Sequence, residues 1–204
     1  MGILSSAVSI TRYKVEGKLK EPVLETILNG LEQNSVSEID DDISERAVGW
    51  TSFESPFNPD FRGSSFDYGS YLSFSLRIDK KTIPPKVLKK YRDIESARRL
   101  AESGRTYLSK DEKQSIKENV TTLFHRKLPA TPHVYDVLWN LAGSRLLFFS
   151  NLKVANEELE TLFFKSFRLT LIRLFPYTIA DLTVDLSPDE RDRLLNLTPT
   201  SFME

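Results

Sequence analysis

Among its 204 residues the chain has no cysteine. A disulfide framework and a thiolate metal site are therefore excluded, and the absence fits a reducing compartment. Histidine is nearly as scarce, with only His125 and His133. Two histidines without cysteine do not make a typical zinc site. Glycine numbers 8, and none falls in a Gly-x-Gly-x-x-Gly fingerprint, a Gly-x-x-x-x-Gly-Lys phosphate loop or a Gly-x-Ser-x-Gly nucleophile elbow. No run approaches the ~18–20 apolar residues of a membrane helix, and Met1 to Val15 lacks the apolar stretch of a signal peptide. These absences predict a soluble cytoplasmic protein without membrane segment, metal or cofactor.

Catalytic patterns are also thin. Asp40-Asp41-Asp42 lacks the glycine and the distal glutamate of a calcium loop and reads as a solvated turn. His125 falls in the last turn of an expected helix, where a cation suits the helix dipole. His133 follows a proline and has no carboxylate at ligand spacing. No pair of carboxylates is specified for acid–base work. The expectation is a protein that is not an enzyme.

Charge is unevenly distributed. Residues 77–127 hold 15 Lys and Arg against 7 Asp and Glu, a balance of +8. The whole chain carries a net charge of −1, so the remainder is −9. A basic middle between acidic flanks points to a polyanionic partner.

Hydrophobic spacing outlines the elements. Ala7 to Val15 reads as a β-branched strand ended by Gly17. Pro22 opens a helix carrying Val23, Leu24, Ile27, Leu28 and Leu31 at helical spacing. Arg46 to Thr51 reads as a strand, residues 52–69 as a long loop, and Tyr71 to Ile78 as a strongly alternating strand. Pro84-Pro85 starts a charged helix with Val87, Leu88, Tyr91, Ile94 and Ala101 on one face, stopped by Ser103-Gly104. Ser109 and Glu112 form a capping box for the next helix, whose stripe is Ile116, Val120, Leu123 and Phe124. Val134 to Trp139 and Arg145 to Ser150 form a hairpin around Gly143-Ser144. Ala155 to Phe167 is an amphipathic helix, Leu169 to Leu174 a strand, and Asp189 to Leu195 a short helix. This order predicts an α+β fold, with mainly antiparallel sheets and helices packed on them. It places one domain over residues 1–185 and a short helix with a loose tail over 186–204. Two similar sub-lobes meeting near residues 84–128 are also compatible with it.

The two charged helices carry the functional expectation. Lys110, Lys113 and Lys117 share one flank at 100° per residue, and several cations spread along ~25 Å of helix can span several phosphates. Without a zinc finger or an RNP aromatic motif, base-specific readout is not expected. The expectation is DNA contact that ignores sequence, through Lys80, Lys81, Lys86, Lys89, Lys90, Arg98, Arg99, Arg105, Lys110, Lys113 and Lys117. The rival reading is a protein-interaction module whose basic face docks an acidic partner without touching DNA.

Tyr71-Leu72-Ser73-Phe74-Ser75-Leu76-Arg77-Ile78-Asp79-Lys80-Lys81-Thr82-Ile83-Pro84 resembles the strand, lysine pair and proline of the bacterial recombination-associated protein RdgC family. Gly49-Trp50, Gly104-Arg105 through Lys113, Lys117 and Val120, and Val134 to Trp139 with its hairpin are similar to further stretches of that family, in the same order. The resemblance covers roughly residues 45–180. It implies a nucleoid-associated DNA-binding protein that restrains RecA-dependent strand exchange, built as a ring-shaped homodimer with a basic inner surface around duplex DNA. Carried over by motif, Lys80 and Lys81 are its foremost DNA-facing residues, followed by Arg105 and Lys113. The other cations named above come from the charge argument.

Overall fold

Apolar and polar residues alternate from Tyr71 to Lys80, the period of a strand, and this segment and its equally long neighbour set the dimensions of the sheet. The computed structural model describes residues 2–61 and 67–198. In chain order they form β1 (Thr11–Glu16), α1 (Val23–Gln33), β2 (Arg46–Thr51), β3 (Asp67–Tyr68), β4 (Tyr71–Lys80), α2 (Pro85–Ser103), α3 (Lys110–Lys127), β5 (Thr131–Asn140), β6 (Arg145–Phe148), α4 (Lys153–Phe167), β7 (Thr170–Arg173), α5 (Pro176–Thr183) and α6 (Pro188–Leu195). The strands make a single antiparallel sheet in the order β2-β4-β5-β6-β1-β7, with β3 also pairing with β4. The fold is α+β, as the order of elements predicts. The described strands form one continuous sheet, and residues 84–128 leave it as a helical arm. Among the described residues no helix is long and apolar enough to cross a membrane.

Strand limits follow the partners. β4 and β5 pair along their whole length, from Tyr71↔Asn140 to Lys80↔Thr131. β5 therefore starts three residues before the expected Val134. Pro132 is tolerated because β6 reaches only Val137 to Asn140, which leaves the outer edge of β5 open beside the proline. β1 is shorter than expected at its start. Its partners cover Thr11 to Glu16 only, so Val8 and Ile10 have no ladder to join. The expected loop 52–69 contains the short β3, and its residues 62–66 lie outside the described residues. Helix α5 has no counterpart among the expected elements. The tail expected over 186–204 contains α6, and residues 199–204 lie outside the described residues.

One face of the sheet is the core. Ile27 and Leu31 of α1 and Leu159, Leu162, Phe163 and Phe167 of α4 pack onto Tyr13, Trp50, Phe74, Leu76, Val137, Trp139, Leu146 and Phe148. Phe167 is the hub. Its ring lies 5.3 Å from Trp139, 6.1 Å from Trp50 and 4.8 Å from Phe163, distances at which aromatic pairs add to plain area burial. Helix α1 comes so close that a Cβ on Gly30 would sit 2.7 Å from that ring, which excludes a larger residue there. The Trp50 indole donates to Ser166 Oγ at 2.8 Å, so its one polar atom is satisfied. The Tyr13 hydroxyl reaches Asn156 Oδ1 at 2.6 Å and Glu160 Oε1 at 3.0 Å, tying β1 to α4. Burial and the neighbouring Glu160 charge push the pKa of this phenol well up.

The opposite face of β4 departs from simple alternation. Its polar residues Ser73, Ser75, Arg77 and Asp79 are buried too. The Arg77 guanidinium is 4% exposed and donates to both Asp79 carboxylate oxygens, at 2.8 and 2.7 Å, and to both Glu38 oxygens, at 2.8 and 3.2 Å. Phe57 stacks over it at 5.2 Å. Ser75 donates to Asp136 Oδ1, whose other oxygen accepts from the Ile3 amide. Segments remote in sequence, including residues 36–61, thus supply a second, polar layer over β4.

Truncating the hub should cost far more than truncating its exposed neighbour. Phe167→Ala is expected to lose about 3–5 kcal/mol in urea unfolding, and Phe164→Ala, half exposed on the same helix, less than about 1 kcal/mol. Equal losses would show that the aromatic cluster is not the centre of the core.

Candidate nucleic-acid interface

The arm is built from local signals. Pro85 sits in the first turn of α2, where its missing N–H costs nothing, and Gly104 ends the helix at φ +62° in the left-handed region. Ser109 and Glu112 make the reciprocal capping box of α3. Arg105 pairs with Glu112 and fixes the turn between the helices. That ion pair and the Ser109 amide hold the Glu112 carboxyl at a pKa of about 2, against an ordinary 4.5. The helices run antiparallel around a small core of Leu108, Ile116 and Val120, flanked by Leu88, Leu100 and Phe124, with Tyr91 edge-on to Phe124 at 4.9 Å. The 19 residues of α2 reach about 28 Å at the usual rise per residue.

The arm's seam is narrower than its sequence stripe. No residue of α2 is buried; Tyr91 is 42% and Ile94 53% exposed, and on α3 Leu123 is 46% exposed. A helix that packs on a single partner buries one edge of its apolar face, and the rest of that face stays in water.

At its base the arm is locked by Lys81, and here the structure corrects the sequence reading. Lys81 is 4% exposed. Its ammonium donates to the carbonyls of Asp40 at 2.9 Å and Asp42 at 2.8 Å, and to that of His125. The last of these is one of the carbonyls that α3 leaves unpaired at its C-terminus, where a cation also meets the negative end of the helix dipole. Asp40 Oδ1 accepts from the Ala130 amide at 2.7 Å, and His125 Nδ1 lies 3.4 Å from Glu45. Lys81 therefore cannot present its charge to a phosphate. Lys80, next to it, is exposed, because successive residues of a strand point to opposite sides.

The other expected contacts fall into two groups. Lys86, Lys89 and Lys90 are exposed in the first turns of α2, and Lys110, Lys113 and Lys117 are exposed along one flank of α3. None of these lysines forms an ion pair among the described residues. The arginines are different. Arg98 lies against Glu95 and Glu102, half-buried Arg99 against Glu95, and Arg105 against Glu112, so their charge is largely balanced within the arm. Sequence reasoning passed over Arg126 and Lys127, exposed in the last turn of α3. The antiparallel pairing sets them at the same end of the arm as Lys86 to Lys90, and their signal was only their membership of the basic block.

The Asp40–Asp42 turn holds Lys81 and Ala130 through its oxygens and serves as a structural brace. Among the described residues no group of three His, Cys, Asp or Glu is placed to hold a metal ion. No protein-family model matches the chain, and no curated protein matches it.

The lysine pair separates cleanly in a stability measurement. Lys81→Met leaves three carbonyls without their donor and is expected to cost about 3 kcal/mol, whereas Lys80→Met should stay within about 0.5 kcal/mol. Similar effects would contradict the buried placement of Lys81. The depressed Glu112 pKa gives a second outcome. Its contribution is complete above pH 4.5 and is lost as pH falls through about 2. Glu112→Gln should therefore flatten the pH dependence of stability in that window, and an unaltered profile would show that the capping pair does not act there.

Proposed function

We propose that this chain is a DNA-binding protein that recognises phosphates without regard to sequence, with the α2–α3 arm as its contact surface. The observation that carries this reading is the set of exposed lysines without acidic partners among the described residues: Lys80, Lys86, Lys89 and Lys90 toward the base, and Lys110, Lys113 and Lys117 along α3. Arg77 is paired and Lys81 held by carbonyls in buried positions, and surface pairing accounts for Arg98, Arg99 and Arg105, so these lysines, with Arg92, Arg126 and Lys127, carry the arm's excess positive charge. A flexible ammonium suits a phosphate as a point charge, and a row of them fixes no base. The motif resemblance to the RdgC family supports the wider reading, in which a homodimer acts at the nucleoid and restrains RecA-dependent strand exchange.

One observation favours the rival reading. Tyr91, Ile94 and Leu123 leave apolar surface among the lysines, and an acidic protein partner with an apolar centre would use both.

Fluorescence anisotropy with duplexes of unrelated sequence, over a salt series and with sizing in parallel, distinguishes the two. The expected result is equal affinity for each duplex and a steep fall with salt. Lys110→Ala/Lys113→Ala/Lys117→Ala should reduce the log–log salt slope by up to about 2.7, about 0.9 for each phosphate no longer neutralised. Absence of binding at low salt, or a slope unchanged in the triple variant, would move the arm to a protein partner.

A further inference from the structure

A second cationic surface lies at the far end of the sheet from the arm. The arm joins β4 and β5 at the Lys80↔Thr131 end, and the second surface begins at the Tyr71↔Asn140 end, some 30 Å away along ten residues of strand. It is set by register. Lys14 of β1 stands opposite Arg145 of β6, and Arg12 opposite Leu147. The alternate residues Tyr13, Val15, Leu146 and Phe148 face the core, so Arg12, Lys14, Arg145 and Leu147 share the outer face.

Helix α5 turns this face into a cavity. The chain leaves β7 with the Leu174 amide bonded to the Arg12 carbonyl at 2.7 Å, and α5 then runs beside the outer face. The cavity between them has a volume of about 430 Å³ and is walled by Arg12, Lys14 and Arg145 together with Leu147, Ile179 and Leu182. A neighbouring hollow of about 340 Å³ shares Arg145 and Leu147 and extends to Asn140 and Tyr71.

The charges in this cavity are not balanced from within. Arg12 and Arg145 are exposed and form no ion pair among the described residues; Lys14 alone reaches a carboxylate, Glu16, at 2.9 Å. Like charges directly opposite on neighbouring strands destabilise a sheet, and a bound anion relieves that repulsion. The leucine and isoleucine walls add a requirement that bare phosphate cannot meet. Volume and lining together match a small-molecule site, mostly apolar with a few convergent polar groups.

We propose that this cavity binds a small organic anion with an apolar body, a carboxylate or phosphate monoester whose charged end meets Arg12 and Arg145 and whose apolar part lies against Leu147, Ile179 and Leu182. The site is separate from the DNA-binding reading of the arm and does not depend on it.

Titration calorimetry with 1-naphthyl phosphate and with laurate tests the proposal, using inorganic phosphate and 1-naphthol as the two halves of the first probe. The expected result is saturable one-to-one binding of at least one whole probe, at least tenfold tighter than either half. Arg12→Gln/Arg145→Gln should weaken it at least tenfold while duplex binding by the arm stays as in the wild type. Amide shift mapping on the wild-type protein provides a reading independent of variant folding, with changes expected at residues 12–14, 143–147 and 174–183. The proposal is overturned if neither probe binds, if inorganic phosphate binds as tightly as the whole probe, if the shifts map elsewhere, or if duplex DNA displaces the probe.

Discussion

A strand buried on both faces must answer for every charge it carries. β4 takes Arg77 and Asp79 out of water, and Lys81 continues the same side of the chain just beyond it. A buried charge without a partner costs several kcal/mol, so the segment that supplies the partners has one workable position. Glu38 closes the Arg77–Asp79 pair, and the carbonyls of Asp40 and Asp42 take up Lys81. Residues 38–42 are placed by these demands. In turn Lys81 and Asp40 hold the end of α3 and the start of β5. The direction in which the arm leaves the sheet is thus set by electrostatics in the polar layer, while the aromatic core on the other face holds the sheet itself.

Much of this architecture was legible in the sequence wherever the signal was local. Arg46 to Thr51, the alternation after Tyr71, the Ser109–Glu112 box, the left-handed stop at Gly104 and the turn at Gly143-Ser144 each depend on residues a few positions apart. Gly49 shows where local reading ends. Its Cβ would collide with the backbone at Val36, a segment brought against β2 only in the folded chain. Burial of the polar face of β4 was hidden for the same reason, since its cover comes from residues 36–61. Helix α5 was missed because its eight residues, Pro-Tyr-Thr-Ile-Ala-Asp-Leu-Thr, set two threonines, a tyrosine and an isoleucine against Ala180 and Leu182, and its one positional signal is Pro176 in the first turn.

For the arm, the charge block was visible but its division was not. Strand parity separates Lys80 from Lys81, and glutamates three or four positions away place partners beside Arg98 and Arg99. Both rules can be read from sequence once the strand and helix limits are known. The outer-face cations Arg12 and Arg145 could not be linked that way. They are 133 positions apart in sequence and become neighbours only through the β1–β6 register.

The small core of the arm has a dynamic consequence. Leu108, Ile116 and Val120, with their flanking residues, form a cluster separate from the main one, joined to the sheet through two short connections and the Lys81 clasp. Such a unit opens by itself, at a free energy well below that of global unfolding. Its backbone amides are expected to exchange with solvent as a group while those of β4 and β5 stay protected. A polyanion lying across the arm would slow that group alone.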